Sequence, residues 1–513
     1  MSIRWSHLPT LALMIGYPIF WLELPRHSAH TSYAAVGLLM LWVLWKIYRE
    51  KNPFSAFRVE RNDLPILLLI GFILGIAFLA ATLPIHLMQE ADALNYHYSV
   101  PRQHLIIGSF AHLPWSTADL FFLPLQWAMS PYWFCTALPN KFLQFIFLIG
   151  LLAIAVSLTR YKTRSRIASV LVLAAIVGSH GLAIQFGSGM LDLVIAYLAL
   201  ASLDSYFRED YWLSGVELAL FTWSKNFMLI QMGILVFCFV VAGMLLKVWQ
   251  GTWQSWVPSK DSQGWRKTAI SFLLTSVVVA GPFIAKSIYY AGTPMFPFMT
   301  FALGGKLALD PNVHRAMLRS VENLIQVRNA YGEGRSVAAF SRHFWTIAVP
   351  DRGVNNAFDY PIGLPYLLCL GPFLYLLCRQ VMNKSISLFS FLVLVFWATW
   401  WMGSQQSRWL YIPLIFMFIE TCSETVSTDS RLFRGGLILA LLLTAASTFR
   451  SNRPDLRQWP RVALRAPDKQ MLDASRRWTG RKPMDVNTTE VAFAESPVTP
   501  RAGTDVWLLP VKN

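Results

Sequence analysis

The sequence predicts an all-α membrane protein, a polytopic helical bundle of about thirteen transmembrane helices with a long first outer loop that carries amphipathic helices. Of the 513 residues, 55% are apolar and only 14% are charged, whereas soluble globular domains have roughly 25% charged residues. The mean hydropathy is +0.44. Apolar runs of about 15–20 residues recur along most of the chain, and each is long enough to cross a bilayer as a helix. An ordinary soluble enzyme is therefore excluded.

The candidate spans follow one another at short intervals, apart from two long polar interruptions. They lie at 8–24, 33–48, 64–84, 141–158, 167–185, 191–207, 213–224, 226–246, 268–289, 363–378, 385–401, 409–426 and 435–449. The weakest is 213–224, because it is short and carries Glu217. The first run lacks a small-residue cleavage site and a second span follows closely, so we do not expect a cleaved signal peptide.

Lysine and arginine account for the net charge of +16 and also indicate the orientation. Basic residues cluster in alternate short loops, and such loops stay on the cytoplasmic side of a membrane. The clusters are Lys46, Arg49, Lys51, Arg58 and Arg61; Arg160, Lys162, Arg164 and Arg166; Lys247, Lys260, Arg266 and Lys267; Arg379 and Lys384; Arg431 and Arg434. We therefore expect an inside amino terminus and a transmembrane body over 1–449 with outer loops 85–140 and 290–362. Residues 450–513 would form an outer tail or small cap.

The first outer loop holds the densest polar stretch, residues 89–102. If residues 89–99 are helical, Asp92, Tyr96 and Ser99 share one face at spacings i, i+4 and i+7, while Glu90 points elsewhere. Asp92 thus has a phenol on its own face and an imidazole beside it, which favours a role as an acid or base. The alternative is a plain surface charge at the water interface. Farther along the loop, residues 117–139 form an amphipathic pattern that predicts a segment lying along the membrane.

Metal binding is not indicated by any established spacing. The first outer loop contains four histidines, His86, His97, His104 and His112, but they match no zinc pattern. The weak alternative is a site built from Glu90, His97 and His104, so a divalent metal stays open as a cofactor. The five cysteines show no Cys-x-x-Cys motif and fall mostly in apolar runs, so we expect neither a metal cluster nor a disulfide framework.

Four segments resemble one family. Residues 92–97 read Asp-Ala-Leu-Asn-Tyr-His and are similar to the Asp-Ala-Leu-x-Tyr-His stretch of bacterial multi-spanning glycosyltransferases of the C-type fold (GT-C), relatives of protein mannosyltransferases and lipid A aminoarabinose transferases. Residues 223–225 resemble the family's Thr-Lys span end, residues 286–297 its Arg-Asn…Gly-Asn-Pro-x-Tyr-Pro segment, and residues 405–410 its Gln-x-x-Arg-Tyr-Leu segment. The segments come in the family's order, and all are expected on the outer side.

The resemblance implies an inverting transfer of a sugar from a polyprenyl-phosphate donor to a glycan, lipid or protein acceptor. The reaction would take place on the outer face of the bacterial cytoplasmic (inner) membrane. Asp92 would be the general base. The remaining candidates would bind the substrate, chiefly the departing lipid phosphate: Tyr96, His97, Arg102, Lys225, Lys286, Gln405 and Arg408. The alternative for the lysines is snorkelling, in which the stem lies along the helix and the amine reaches the headgroups.

Departures from the family pattern affect the phosphate grip. Lys286 and Ser287 stand where the family often has Arg-Asn, and Trp409 stands for Tyr. A lysine keeps the charge of an arginine but loses its bidentate fork, so the grip would be looser.

Two rival classes share this composition. A polysaccharide polymerase or ligase also has many spans and an arginine-bearing outer loop, but it usually needs no acidic motif at a span end. A transporter or lipid flippase, which is not an enzyme, tends to show repeated halves with broken helices, and we see no such halves. The expected partners besides donor and acceptor are membrane lipids. A nucleic acid is not expected, because no soluble basic domain exists apart from the tail.

Overall fold

The structure is a computed structural model, and it describes residues 4–26, 33–49, 63–82, 97–113, 118–120, 124–134, 141–246, 262–294, 331–348, 358, 360–425 and 431–463. All regular secondary structure in these ranges is helical. The helices are α1 (Leu8–Glu23), α2 (Ala34–Arg49), α3 (Leu64–Ala81), α4 (Ser99–Ile107), α5 (Pro124–Trp133), α6 (Phe142–Thr163), α7 (Arg166–Val177), α8 (His180–Ala183), α9 (Asp192–Phe207), α10 (Tyr211–Thr222), α11 (Asn226–Leu246), α12 (Ser262–Ala291), α13 (Val337–Thr346), α14 (Leu364–Met382), α15 (Leu388–Met402), α16 (Tyr411–Thr425) and α17 (Arg431–Ala463).

Six helices in the described ranges are long and apolar enough to cross a membrane. They are Trp5–Arg26, Leu64–Ala81, Phe142–Thr163, Gln263–Ala291, Leu364–Met382 and Arg431–Arg450. The prediction of a multi-pass helical membrane protein is confirmed at this level. The count of about thirteen spans stays a prediction, since several predicted spans correspond to shorter helices. The 12 residues of α10, for example, reach only about 18 Å at 1.5 Å per residue.

Buried ion pairs gather the helix ends that the charge pattern places inside. His7, just before α1, lies 2.7 Å from Glu217 of α10 and 3.2 Å from Asp204 near the end of α9. Lys162 at the end of α6 pairs with Glu420 near the end of α16. Each pair joins residues that the predicted topology puts in the inner half of the membrane or beside it, so the contacts agree with the alternating orientation.

Prolines inside two helices leave backbone carbonyls without their usual donor, and neighbouring hydroxyls replace it. Pro282 lies within α12 and cannot donate to the carbonyl four residues earlier. The Tyr17 hydroxyl donates to that carbonyl, on Val278, at 3.1 Å. In α5, the Ser130 hydroxyl donates in the same way to the Trp127 carbonyl at 2.9 Å, which Pro131 leaves unmatched. Both helices therefore accommodate a proline without an unsatisfied buried acceptor.

One expectation for the first outer loop needs correction. All ten residues of α5 are buried, so the prediction that residues 117–139 lie along the membrane surface is wrong for this helix. The Gln126 amide nitrogen has a buried partner in His97, and the Ser130 hydroxyl donates to the Trp127 carbonyl. At the other end of the chain, α17 continues to Ala463 while its candidate membrane span ends at Arg450, so the tail over 450–513 stays a prediction.

The start of α4 agrees with the presence of Pro101. This residue lies in the first turn of the helix, where backbone N–H groups have no intrahelical partner, so its missing N–H costs nothing there. The helix ends at Gly108, whose φ of 67° is left-handed. A glycine adopts that conformation without strain, and the chain therefore turns back sharply after α4.

Candidate functional site

The carboxylate of Asp192 is the centre of a buried polar site at the first residue of α9. The side chain is buried, and its Oδ1 lies 2.8 Å from the Lys225 ammonium. The Gln185 amide Nε2 donates to Oδ2 at 3.3 Å. Arg408 and His97 also lie close enough to interact electrostatically with this carboxylate. One acidic group thus pairs with Lys225 and interacts electrostatically with a second cation and an imidazole.

Lys225 reaches this carboxylate because a short break separates α10 from α11. Helix α10 ends at Thr222, and α11 begins at Asn226. Within the break, the Ser224 hydroxyl donates to the Phe221 carbonyl at 2.7 Å, which satisfies one of the acceptors left at the end of α10. The Lys225 side chain is mostly buried, with 16% exposed. An ion pair with Asp192 therefore describes this lysine better than snorkelling to the headgroups does.

Arg408 lies on the short 3₁₀ turn Ser407–Leu410 between α15 and α16. Its Nε donates to Gln406 Oε1 at 2.9 Å. The backbone of the turn is fixed from both sides: the Trp400 indole donates to the Gln406 carbonyl at 2.7 Å, and the Ser407 N–H donates to the Phe358 carbonyl at 2.7 Å. The guanidinium is therefore held in position by the turn before any ligand arrives.

His97, the last residue of the predicted acidic motif, lies close enough to Asp192 to interact with it electrostatically. Its Nδ1 contacts Gln126 Nε2 of α5. The next residue, Tyr98, stacks on Trp133 with ring centroids 4.0 Å apart and accepts a hydrogen bond from Gln144 at 2.7 Å. Asp92, Glu90 and Tyr96 lie outside the described residues, so their place relative to Asp192 stays a prediction.

A second buried cluster surrounds Asp119, on the short helical turn Ala118–Leu120. Its carboxylate accepts from the Lys286 ammonium at 2.8 Å, from His112 Nδ1 at 2.9 Å and from the Leu113 N–H at 2.8 Å. Burial by itself raises the pKa of Asp119, but Lys286 and the hydrogen bond from His112 outweigh it and lower the pKa to about 2. Asp119 is therefore ionised at neutral pH.

His104 lies beside this pair and is neutral. Burial and the nearby Lys286 lower the pKa of His104 to about 3, against the opposing effect of Asp119. Its Nδ1 donates to the Ser109 carbonyl at 2.7 Å, because a carbonyl can only accept. The other ring nitrogen, Nε2, is then an acceptor, and it lies 3.2 Å from the Lys286 ammonium.

The structure thus divides the candidates from the sequence into groups. His97, Lys225 and Arg408 come together around Asp192. Lys286 instead contacts Asp119 and His104. The remaining candidates have other surroundings.

Gln405 and Arg102 are those remaining candidates. The Gln405 amide donates to the Gly334 carbonyl at 3.1 Å, which links the second outer loop to the Arg408 turn. Arg102 is buried, and burial lowers its pKa to about 10. It lies on α4, five residues after His97.

The weak metal alternative finds no support among the residues that the structure places. No group of three or more His, Cys, Asp or Glu side chains in those ranges is arranged to hold a metal ion. His97 is beside Asp192, whereas His104 donates to Ser109 and contacts Lys286. Glu90, the third proposed ligand, lies outside the described residues.

Sequence reasoning missed both central carboxylates. Asp192 stands at the start of an apolar run in Gly-Met-Leu-Asp-Leu, and an acidic residue in such a run is by itself a signal of function. Asp192 was nevertheless not among the predicted site residues. Asp119 gave no comparable signal, because nothing in its neighbourhood indicated that Lys286, far away in the chain, would be its partner.

Comparisons of the chain with protein-family models, with curated proteins and with solved structures found no match.

Proposed function

We propose that the protein is a membrane glycosyltransferase that moves a sugar from a polyprenyl-phosphate donor to an acceptor. The observation that carries the proposal is the convergence of His97, Lys225 and Arg408 on the buried carboxylate of Asp192. These three residues come from separate stretches of the chain, and each stretch resembles a segment of the same glycosyltransferase family. A shared site for the three is what one common substrate would require.

The two cations suit the departing lipid phosphate. Phosphate is bound best by positioned ammonium and guanidinium groups, through charge-assisted hydrogen bonds. Arg408 is held by Gln406 and Lys225 by Asp192, so neither needs to reorganise when charge develops on the leaving group. Asp192 also offsets the repulsion between two cations brought close together in a partly buried place.

Asp92 is the proposed general base. The acceptor hydroxyl oxygen attacks the anomeric carbon, the bond from that carbon to the phosphate oxygen breaks, and polyprenyl phosphate leaves with the bonding electron pair. The acceptor proton passes to the Asp92 carboxylate. An aspartate is basic enough because the hydroxyl becomes acidic only while its bond to the sugar forms. Attack from the face opposite the leaving group inverts the anomeric centre.

The proposed location is a bacterial cytoplasmic membrane, with about thirteen spans, the amino terminus inside and the site outside. It is supported by the alternating basic loops and by the agreement of the buried ion pairs with that topology. Asp192 begins α9 and Asp204 lies 12 residues later on the same helix, about 18 Å along its axis. The Asp192 site and the His7 network therefore occupy different levels of the bundle.

Binding of undecaprenyl phosphate to the purified protein tests the phosphate site. We expect K225M and R408A each to weaken binding by about tenfold or more, as expected for the loss of a charge-assisted contact. K267M is the matched control, because Lys267 is an exposed lysine of α12 on the predicted inner side. Equal affinity in all four proteins would refute the phosphate site.

Mass spectrometry of membrane lipids and glycans from a strain that lacks the protein would identify the substrates. An accumulated polyprenyl-phosphate sugar names the donor, and the missing glycan names the acceptor. A vesicle assay separates the non-enzymatic rival: flipping of lipid-linked sugar without any transfer would favour a flippase over the proposed enzyme.

A further inference from the structure

Lys286 lies in the last turns of α12, and its buried ammonium has two hydrogen-bond acceptors and one aromatic ring as neighbours. The ammonium nitrogen is 2.8 Å from Asp119 Oδ2 and 3.2 Å from His104 Nε2. It also lies 4.4 Å from the centroid of the Phe110 ring, a distance at which a cation is attracted to an aromatic face. The side chain is only 3% exposed.

These three contacts of Lys286 lie at three points along the first outer loop. His104 lies on α4, Phe110 follows the turn at Gly108, and Asp119 lies beyond. His104 stays neutral near neutral pH, because its pKa is about 3, so its Nε2 stays an acceptor for Lys286 while its Nδ1 donates to the Ser109 carbonyl. Lys286 is therefore already engaged by Asp119, His104 and Phe110, and its buried side chain offers little access to a lipid phosphate in this arrangement.

We propose that Lys286 is a positioning residue, which fastens the first outer loop to α12 at His104, Phe110 and Asp119 and so fixes α4 with His97 beside Asp192. This inference deepens the proposed function. It rests on that function only for the expected effect of Lys286 on the rate of sugar transfer. It also gives Lys286 a role different from the phosphate contact that the family resemblance implies.

Helix α4 and helix α5 connect the fastening to the Asp192 site. The nine residues of α4 span about 13 Å, with His104 held by Lys286 and His97 just before the first turn. Helix α5 runs alongside: Gln126 contacts His97, and Trp127 lies 5.6 Å from the His104 ring and 4.9 Å from Phe283 of α12, measured between centroids. Release of His104 therefore loosens the support of His97 from both helices.

Amide hydrogen exchange measured by mass spectrometry tests the fastening without any substrate. In K286M, we expect exchange of residues 97–113 to rise by about tenfold or more, since local opening sets the exchange rate. Exchange in α6 and α9 should stay unchanged. The matched control is K162M, because Lys162 is also a lysine in a buried ion pair, with Glu420, but on the predicted inner side.

F110L gives a milder version of the test, because it removes one contact and keeps an apolar side chain. We expect a smaller rise over the same residues, and this variant decides the question if K286M is not recovered folded. Unchanged exchange over 97–113 in K286M, or in F110L where K286M cannot be made, would overturn the proposal.

Binding and transfer then separate positioning from phosphate contact. K286M should bind undecaprenyl phosphate about as well as the parent protein, whereas its rate of sugar transfer should fall. If K286M loses binding as severely as R408A does, Lys286 is a phosphate ligand and the positioning role is wrong. If exchange rises as expected but the parent protein transfers no sugar, the fastening stands and the proposed function fails.

Discussion

Removal of the Lys225 ammonium should destabilise the protein through Asp192, and the structure gives the size of the effect. The two charges lie 2.8 Å apart. At an effective dielectric constant of about 20, two unit charges at that distance attract with about 332/(20 × 2.8), or about 6 kcal/mol. Desolvation offsets a large part of this, and removing one partner of a buried pair costs about 3–5 kcal/mol. Because Asp192 keeps Gln185 and the nearby Arg408, we expect K225M to cost about 3 kcal/mol, the lower end of that range.

A double-mutant cycle isolates the contribution of the ion pair. D192N/K225M removes both charges, so no buried carboxylate is left without its cation. We expect the double variant to be no less stable than K225M alone, which means that the coupling between the two sites is at least as large as the cost of D192N alone. The assay is equilibrium unfolding by SDS in mixed micelles, with K267M as the exposed control, expected within about 0.5 kcal/mol of the parent. If the costs of D192N and K225M add within about 0.5 kcal/mol, the coupling free energy of the ion pair is close to zero and the expected contribution of this pair to stability is refuted.

Three further predictions concern other parts of the molecule. The pKa of His104 is about 3 in the folded protein and about 6.5 when exposed, so unfolding binds a proton and the free energy of unfolding should fall as the pH drops from about 6.5 toward 3. Amide exchange over 97–113, corrected for intrinsic rates, should therefore rise as the pH falls from about 7 to about 5. A flat profile would contradict this. Y17F leaves the Val278 carbonyl without its donor, so SDS unfolding should show a loss of about 1 kcal/mol, and no loss would mean that water or a neighbour replaces the hydroxyl. H7L leaves the buried carboxylate of Glu217 without its imidazole and should cost about 3 kcal/mol in the same titration, whereas a neutral result would show that the network is not ionic.

The fold class could be predicted from the sequence because long apolar runs with few charges indicate helices that lie in a lipid environment. A run such as 64–84 has no other stable place, and α3 lies at Leu64–Ala81. The exact number of spans could not be predicted in the same way, because length and apolarity do not distinguish a short buried helix from a crossing one. Helix α10 shows the difficulty: it is apolar, most of its residues are buried, and it is too short to cross a bilayer unaided.

The candidate site was predicted only where the sequence carried a local signal. Lys225 and Arg408 stand out because cations at the ends of apolar spans are costly and need a reason. Their common partner, Asp192, depends on contacts between the start of α9 and the break before α11, and no local pattern reports such contacts. Lys286 gave the same local signal as Lys225, yet its partner is Asp119, because the path of the first outer loop decides which carboxylate it meets.

The central claim is sugar transfer from a polyprenyl phosphate with Asp92 as base, and the most direct test is the D92N variant in a strain that lacks the protein. Envelope lipids and glycans are compared by mass spectrometry between strains carrying the parent protein, D92N and no protein. The account predicts that D92N accumulates the same polyprenyl-phosphate sugar as the strain without the protein, while the purified variant still binds undecaprenyl phosphate. Restoration by D92N of the glycan that the parent makes would contradict the claim.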